Sequence, residues 1–141
     1  MSTLTLGTIQ SNTTAPPAIT NSGGTEIGTF CRAWVNFNGT GTVAIRASFN
    51  VSSITDNGVG DYTVNFTTAM PDVNYAVSGC GGPDVATGTA ANGTLISPFS
   101  QRATPYLSLP SVSSFRFTTP TAPNNFATAT DTAFIHISVF R

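Results

Sequence analysis

Lysine is absent from this 141-residue chain, and glutamate occurs once, at Glu26. Charged residues make up 8% of the sequence, against about 25% in an average domain. The five basic residues are all arginines, they are scattered, and the net charge is −1. Such a chain lacks the clustered cations that displace phosphate counterions, which argues against nucleic acid as a partner. There is no basic amphipathic stretch to suit a membrane surface and no apolar run long enough to span a bilayer, so no membrane insertion is expected. The N-terminus lacks the charged start and apolar stretch of a signal peptide. One histidine and two cysteines cannot build an ordinary four-ligand zinc site, and no cofactor or metal is expected. Cys31 and Cys80 allow at most one disulfide. They fall on separate expected strands and could meet across a sheet, but without a secretion signal free thiols are favoured.

What the chain does contain is 40% hydrophobic residues, with ten Phe, three Tyr and one Trp. Disordered segments show the opposite balance of hydrophobicity and charge. Ser, Thr, Asn and Gly stand where charges would be: Thr favours strands, Asn and Gly favour turns, and helix-forming composition is missing. At 14.6 kDa the chain is one domain's worth of sequence, long enough to bury a core. The expected fold is all-β, an antiparallel β-sandwich or jelly roll of about eight strands with an extended N-terminal arm. Surfaces solubilised by hydroxyls and amides near zero net charge favour association, so an oligomer is expected.

Residues 1–29 read as the arm, with scattered apolar residues, the Pro16-Pro17 pair and a turn cluster over Asn21–Gly24. Short strand pieces are expected around Leu4–Ile9 and Ala18–Ile19, and Leu4, Leu6, Ile9 and Ile19 are its candidate docking residues. The sandwich occupies 30–141. Phe30–Phe37 is its first strand, with aromatics on both faces and both faces expected to be covered. Thr42–Ser48 follows, with Val43, Ile45 and Ala47 on one face, and then Phe49–Ile54. The run Asp56-Asn57-Gly58-Val59-Gly60-Asp61 predicts a β-hairpin leading into the alternation Tyr62, Val64, Phe66. Val73, Tyr75 and Val77 share a face of the next strand. Residues 81–93 and 119–125 read as surface loops, with short strands at Thr94–Phe99 and Tyr106–Leu109. Val112–Thr118 carries Phe115 and Phe117 on one side and Arg116 on the other. The last strand, Thr132–Phe140, turns Ala133, Ile135, Ile137 and Val139 to the core and Phe134, His136 and Phe140 away from it.

Catalytic chemistry is hard to place. His136 lies on a regular strand with no sequence-level partner and reads as a solvent-facing or subunit-contact residue; three copies meeting on a three-fold axis to hold a metal is the sharper alternative. Asp56, Asp61 and Asp72 sit in turns, where Asp bonds its own backbone, rather than as paired acids for glycoside cleavage. The Asn-x-Ser/Thr matches at Asn12, Asn38, Asn50, Asn65 and Asn92 follow from composition and are read as unmodified. Trp34, Phe99, Tyr106 and Phe126 remain as candidate contact aromatics, suited to sugars or protein interfaces. For Trp34, core or subunit packing is the favoured reading.

The run CRAWVNFNGTGTVAIRASFNV, from Cys31 to Val51, continues as SSITDNGVGDYTVNFTTAMPDVNYAVSG and is led in by TIQSNTTAPPAITNSGGTEIG. Over about residues 8–79 it resembles a module of bacteriophage virion proteins, especially tail-fibre-like proteins of phages of aquatic bacteria, including cyanophages. The resemblance implies a non-enzymatic structural protein of the virion, a homotrimer attached through its N-terminal segment to other virion proteins (tail hub, baseplate or capsid). It names no catalytic residues. Residues 80–141 lie outside the resemblance and suit a variable head, whose loops 80–93, 99–106 and 119–130 would touch a host surface glycan or protein. Phe99, Tyr106 and Phe126 are the host-contact candidates. A chain of this length is too short for both a long shaft and a head, so a short fibre, a fibre tip and a capsid decoration protein stay open. A carbohydrate-binding or carbohydrate-cleaving module is the alternative of another class.

Overall fold

Alternation of large apolar and polar residues builds strands, because successive side chains point to opposite faces of a pleated chain. A computed structural model describes residues 6–10, 17–82, 94–95, 109–122 and 125–141, and its regular structure is all β. The chain divides into two units, Met1–Phe30 and Cys31–Arg141.

In the first unit, β1 (Ile19–Thr20) pairs antiparallel with β2 (Glu26–Gly28). The turn between them is held by Asn21, whose Oδ1 accepts from the amides of Gly23 and Thr25. Gly24, at φ 81°, occupies the left-handed position that glycine reaches without cost. The Ile19 end of the expected Ala18–Ile19 strand is therefore real. Residues 6–10 form no strand, and Leu4 lies outside the described residues.

The second unit is a β-sandwich of two antiparallel sheets. One holds five strands in the order β4 (Ala44–Phe49), β3 (Cys31–Asn38), β12 (Phe134–Phe140), β7 (Ala76–Gly82), β8 (Thr94–Leu95). The other holds β5 (Val51–Gly58), β6 (Asp61–Phe66) and β9 (Ser114–Thr118) in that order. Together these are eight strands. A separate hairpin, β10 (Pro120–Ala122) with β11 (Asn125–Ala129), replaces the surface loop expected over 119–125. Composition misleads there: Pro and Asn favour loops, but Pro120 opens its strand, a position where its missing N–H is tolerated.

The core lies between the sheets. Ala33, Val35 and Phe37 of β3 and Ile135, Ile137 and Val139 of β12 face Tyr62, Val64 and Phe66 of β6 and Phe115 and Phe117 of β9. Its centre is aromatic. The Phe37 ring stands edge-on to Tyr62 at 5.3 Å between centroids and to Phe117 at 6.3 Å, joining one sheet to the other. Phe66, Tyr75 and Phe115 form a second cluster. Every core alternation expected for β6, β9 and β12 is present.

Three local readings are corrected. On β4 the expected face of Val43, Ile45 and Ala47 is broken by a bulge: Phe37 opposes Ile45 but Asn36 opposes Ala47, leaving Arg46 as the extra residue. One inserted residue moves everything beyond it to the other face. β7 begins only at Ala76, because Asp72 Oδ1 accepts from the Asn74 amide and curls the chain; Val73 is exposed while Tyr75 is buried. Among the described residues β3 is covered on one face only, so Trp34 is 39% exposed and the core-packing half of its expected core or subunit packing does not hold.

Candidate functional site

The two outer faces of the sandwich differ in chemistry. On the three-stranded sheet, polar side chains satisfy one another: Asn65 Nδ2 donates to Ser53 Oγ and Thr55 Oγ1, Asn57 Nδ2 donates to Thr63 Oγ1, and Ser52 Oγ donates to the Asn65 carbonyl. Arg116 closes the ladder on Asp61 in a two-pronged pair at 2.7 and 2.6 Å. Asp61 therefore does not bond its own turn, as the sequence suggested, but anchors a cross-strand arginine. Such a face is complete in itself and offers water a surface of already paired groups.

The outer face of the five-stranded sheet is built otherwise. Register places Phe49 of β4, Trp34 of β3, Ser138 of β12 and Ser78 of β7 in one row. The next row, about 7 Å along the strands, holds Ala47, Asn36, His136 and Cys80. Phe49 and Trp34 are exposed, as is Phe140 farther along β12. From its bulge, Arg46 reaches across the face. Its guanidinium carbon lies 4.1 Å from the centre of the Phe134 ring, and Nη1 is 3.4 Å from Asn36 Oδ1. Phe134 in turn stacks on His136, with ring planes 8° apart. Stacking leaves the edge N–H groups of a guanidinium free to bond an anion.

Charge is distributed unevenly over this unit. No Asp or Glu occurs in the five strands of this sheet, which carry Arg32, Arg46 and His136. Each described acid of the unit has a partner of its own. Asp56 accepts from the Gly58 amide, Asp61 pairs with Arg116, and Asp72 pairs with Arg141 at 2.6 Å. Asp131 accepts from the Gly60 amide and the Tyr62 hydroxyl. The Arg141 guanidinium beside Asp72 and the bond from the Asn74 amide hold that carboxyl below its usual range.

Of the residues singled out from the sequence, Phe99 and Tyr106 lie outside the described residues, and Phe126 falls within β11. In the first unit Leu6 and Ile9 are exposed, Ile19 of β1 is 38% exposed, and Ile27 of β2, which the sequence reading passed over, is 63% exposed. Cys31 and Cys80 are free thiols, kept two strands apart by the intervening β12. His136 is exposed, as expected, on the face opposite the core. Among the described residues, no group of three or more His, Cys, Asp or Glu side chains could hold a metal ion. The sequence reading missed Phe49 as the cross-strand neighbour of Trp34, and Arg46 as the partner of Phe134 and Asn36. The signal was only half legible: alternation put Trp34, Phe134, His136 and Phe140 off the core, but nothing local showed that β3, β4 and β12 are neighbours.

No protein-family model, no curated protein and no solved structure matches the chain.

Proposed function

We propose that the protein is a bacteriophage virion structural protein, tail-fibre-like, whose β-sandwich presents a binding face for attachment to the host surface. The observation that carries this reading is the contrast between the two outer faces. One is a self-satisfied polar ladder. The other exposes Trp34, Phe49 and Phe140 and carries Arg46, which has no carboxylate partner among the described residues. Apolar side chains held in the open on a scaffold mark a surface for contact. The resemblance of residues 8–79 to phage virion modules supplies the biological setting. The exposed Leu6, Ile9, Ile19 and Ile27 of the first unit suit attachment to another virion protein or to neighbouring copies. A homotrimer on the particle would multiply a weak contact by avidity. The role is one of binding and assembly, without catalysis.

The test is location. Gradient-purified particles of the phage that carries this chain are analysed by tryptic mass spectrometry and labelled with gold-tagged antibody raised against residues 31–141. Label at the tail extremities is the expected result. Uniform label on the head would replace host attachment by capsid decoration. Absence of the chain from the particles would overturn the virion reading altogether. Light scattering on the purified full chain should give about three times 14.6 kDa; a monomer at all concentrations would remove the trimer.

A further inference from the structure

Resting on the attachment reading, we infer that the outer face of the five-stranded sheet binds an acidic polysaccharide. One sugar ring of the chain lies on Trp34, and the carboxylate of a uronic acid farther along it is held by Arg46. The argument begins with charge. In the described part of this unit every acid has a bonding partner, while Arg32 and Arg46 lie on a sheet whose strands hold no acid. Arg46 has no carboxylate partner among the described residues. It is nevertheless positioned, with its guanidinium carbon 4.1 Å over the Phe134 ring and Nη1 bonded to Asn36 Oδ1, and its other N–H groups have no partner among the described residues. A pre-positioned guanidinium of this kind matches a carboxylate in a two-pronged geometry.

Charge also decides against the simplest competitor. If a second copy covered this face, it would bring its own Arg46 and Arg32 against the first set, with no acid in the described strands of either sheet to compensate. Like charges brought together in a contact cost affinity. Nucleic acid is a poor fit for a different reason: the sheet offers too few cations to replace the counterions of successive phosphates.

Shape and neutral chemistry then select among anions. The face carries two exposed aromatics side by side in register, Trp34 and Phe49. One face of a pyranose ring is a plane of C–H groups that packs on an aromatic ring, and its hydroxyls lie around the rim. Around Trp34 the rim partners are neutral: Ser138 and Ser78 in the same row, Asn36 in the next. Phe134, under the Arg46 guanidinium, lies two rows from Ser138 and so about 13–14 Å along the strands from the Trp34 row, a gap that an oligomer bridges with the carboxylate of a ring beyond the one seated on Trp34.

Trp34 is the chain's one tryptophan, so its fluorescence reports occupancy of this face directly. The full-length protein is titrated with hexagalacturonate, with an alginate hexamer and with maltohexaose as the neutral comparison. The expected result is a blue shift and saturation with at least one acidic oligomer. R46Q should then lose about tenfold or more in affinity for it, as expected for removal of an ionic hydrogen bond, and leave the weaker maltohexaose response unchanged. Trp34→Ala should abolish binding, read by calorimetry, and Trp34→Phe should keep part of it. Both positions are off the core, and circular dichroism confirms that the variants fold.

No saturation with either acidic oligomer overturns the inference, and so does binding that R46Q leaves intact. A mass that doubles with concentration and falls back in Trp34→Ala would make the face a self-interface and overturn it as well. The two proposals fail separately. Particles that contain the protein while the acidic oligomers do not bind would leave attachment standing and remove this ligand. Binding by a protein absent from particles would leave a carbohydrate-binding module and remove the virion.

Discussion

The Tyr62 hydroxyl lies 2.9 Å from Asp131 Oδ1, and this contact ties the three-stranded sheet to the segment that enters β12 in the other sheet. The same hydroxyl is 2.7 Å from the Gly39 carbonyl, just after β3, and the same carboxylate oxygen accepts from the Gly60 amide at 2.7 Å. One end of the sandwich is thus closed by polar groups while the ring of Tyr62 fills the core. Tyr62→Phe keeps the ring and removes the tie. It should cost about 1–3 kcal/mol in urea unfolding, and Asp131→Asn, which keeps an acceptor oxygen, should cost less than Asp131→Ala. Equal loss in both Asp131 variants would show that charge, rather than hydrogen bonding, holds this corner.

Two glycines at the same end have no room for a side chain. A Cβ on Gly39 would stand 2.6 Å from Tyr62 Oη and 2.9 Å from the Thr132 carbonyl; on Gly60, at φ 61°, it would stand 2.6 Å from the Thr130 amide nitrogen. Alanine at either position should cost about 1–3 kcal/mol or more through overpacking against backbone. Gly41 also has φ 61° but faces open space, so Gly41→Ala should cost only about 1–2 kcal/mol from the left-handed backbone. Thermal denaturation of the three variants orders them, and Gly41→Ala as the worst would contradict the packing argument.

Asn50 carries the chain from β4 in one sheet to β5 in the other, at φ 55°, the sole non-glycine residue with positive φ among those described. Its amide donates to the carbonyls of Arg32 and Thr68, and its Oδ1 accepts from the Thr68 amide at 2.7 Å. Asn50→Gly preserves the backbone and loses the bonds; Asn50→Ala loses both. The expected order of stability is wild type, then Gly, then Ala, with the Ala variant down by about 2 kcal/mol or more. Guanidinium unfolding measures it, and an Ala variant as stable as the Gly variant would remove the conformational part.

Alkaline pH should unfold the protein through its buried tyrosines. Burial and the neighbouring Asp131 push the Tyr62 hydroxyl well above its ordinary range, and burial pushes that of Tyr75 up to about 12. The unfolded chain releases these protons near pH 10, whereas the folded chain keeps them. The contribution of the neutral tyrosines to stability is therefore complete below pH 10 and is lost as pH rises through the raised folded values, by about 1.4 kcal/mol per unit for each group. Phenolate absorbance followed beside circular dichroism should show these two groups ionising together with unfolding. Ionisation of both near pH 10 in a folded chain would refute this.

The sequence set the strands of the core by itself. Tyr62, Val64 and Phe66, Phe115 and Phe117, and Ile135, Ile137 and Val139 alternate with polar residues, and a period of two assigns each set to one face wherever the chain is extended. The Asp56–Asp61 hairpin was equally local, because Gly58 and Gly60 supply the positive φ its turn needs. Where one inserted residue broke the period, at Arg46, local reading failed. It also failed at 119–130, where turn-forming residues were built into the β10–β11 hairpin.

The outer face was decided by tertiary structure alone. Trp34, Phe49, Arg46 and Phe134 come from three strands, and their juxtaposition depends on the order β4-β3-β12, which places the last strand of the chain beside the first strand of its sheet. Alternation fixes which way a side chain points but carries no information about which strand lies next to it. That is settled by how two sheets must close over one shared set of aromatic rings, with Phe37 against Tyr62 and Phe117.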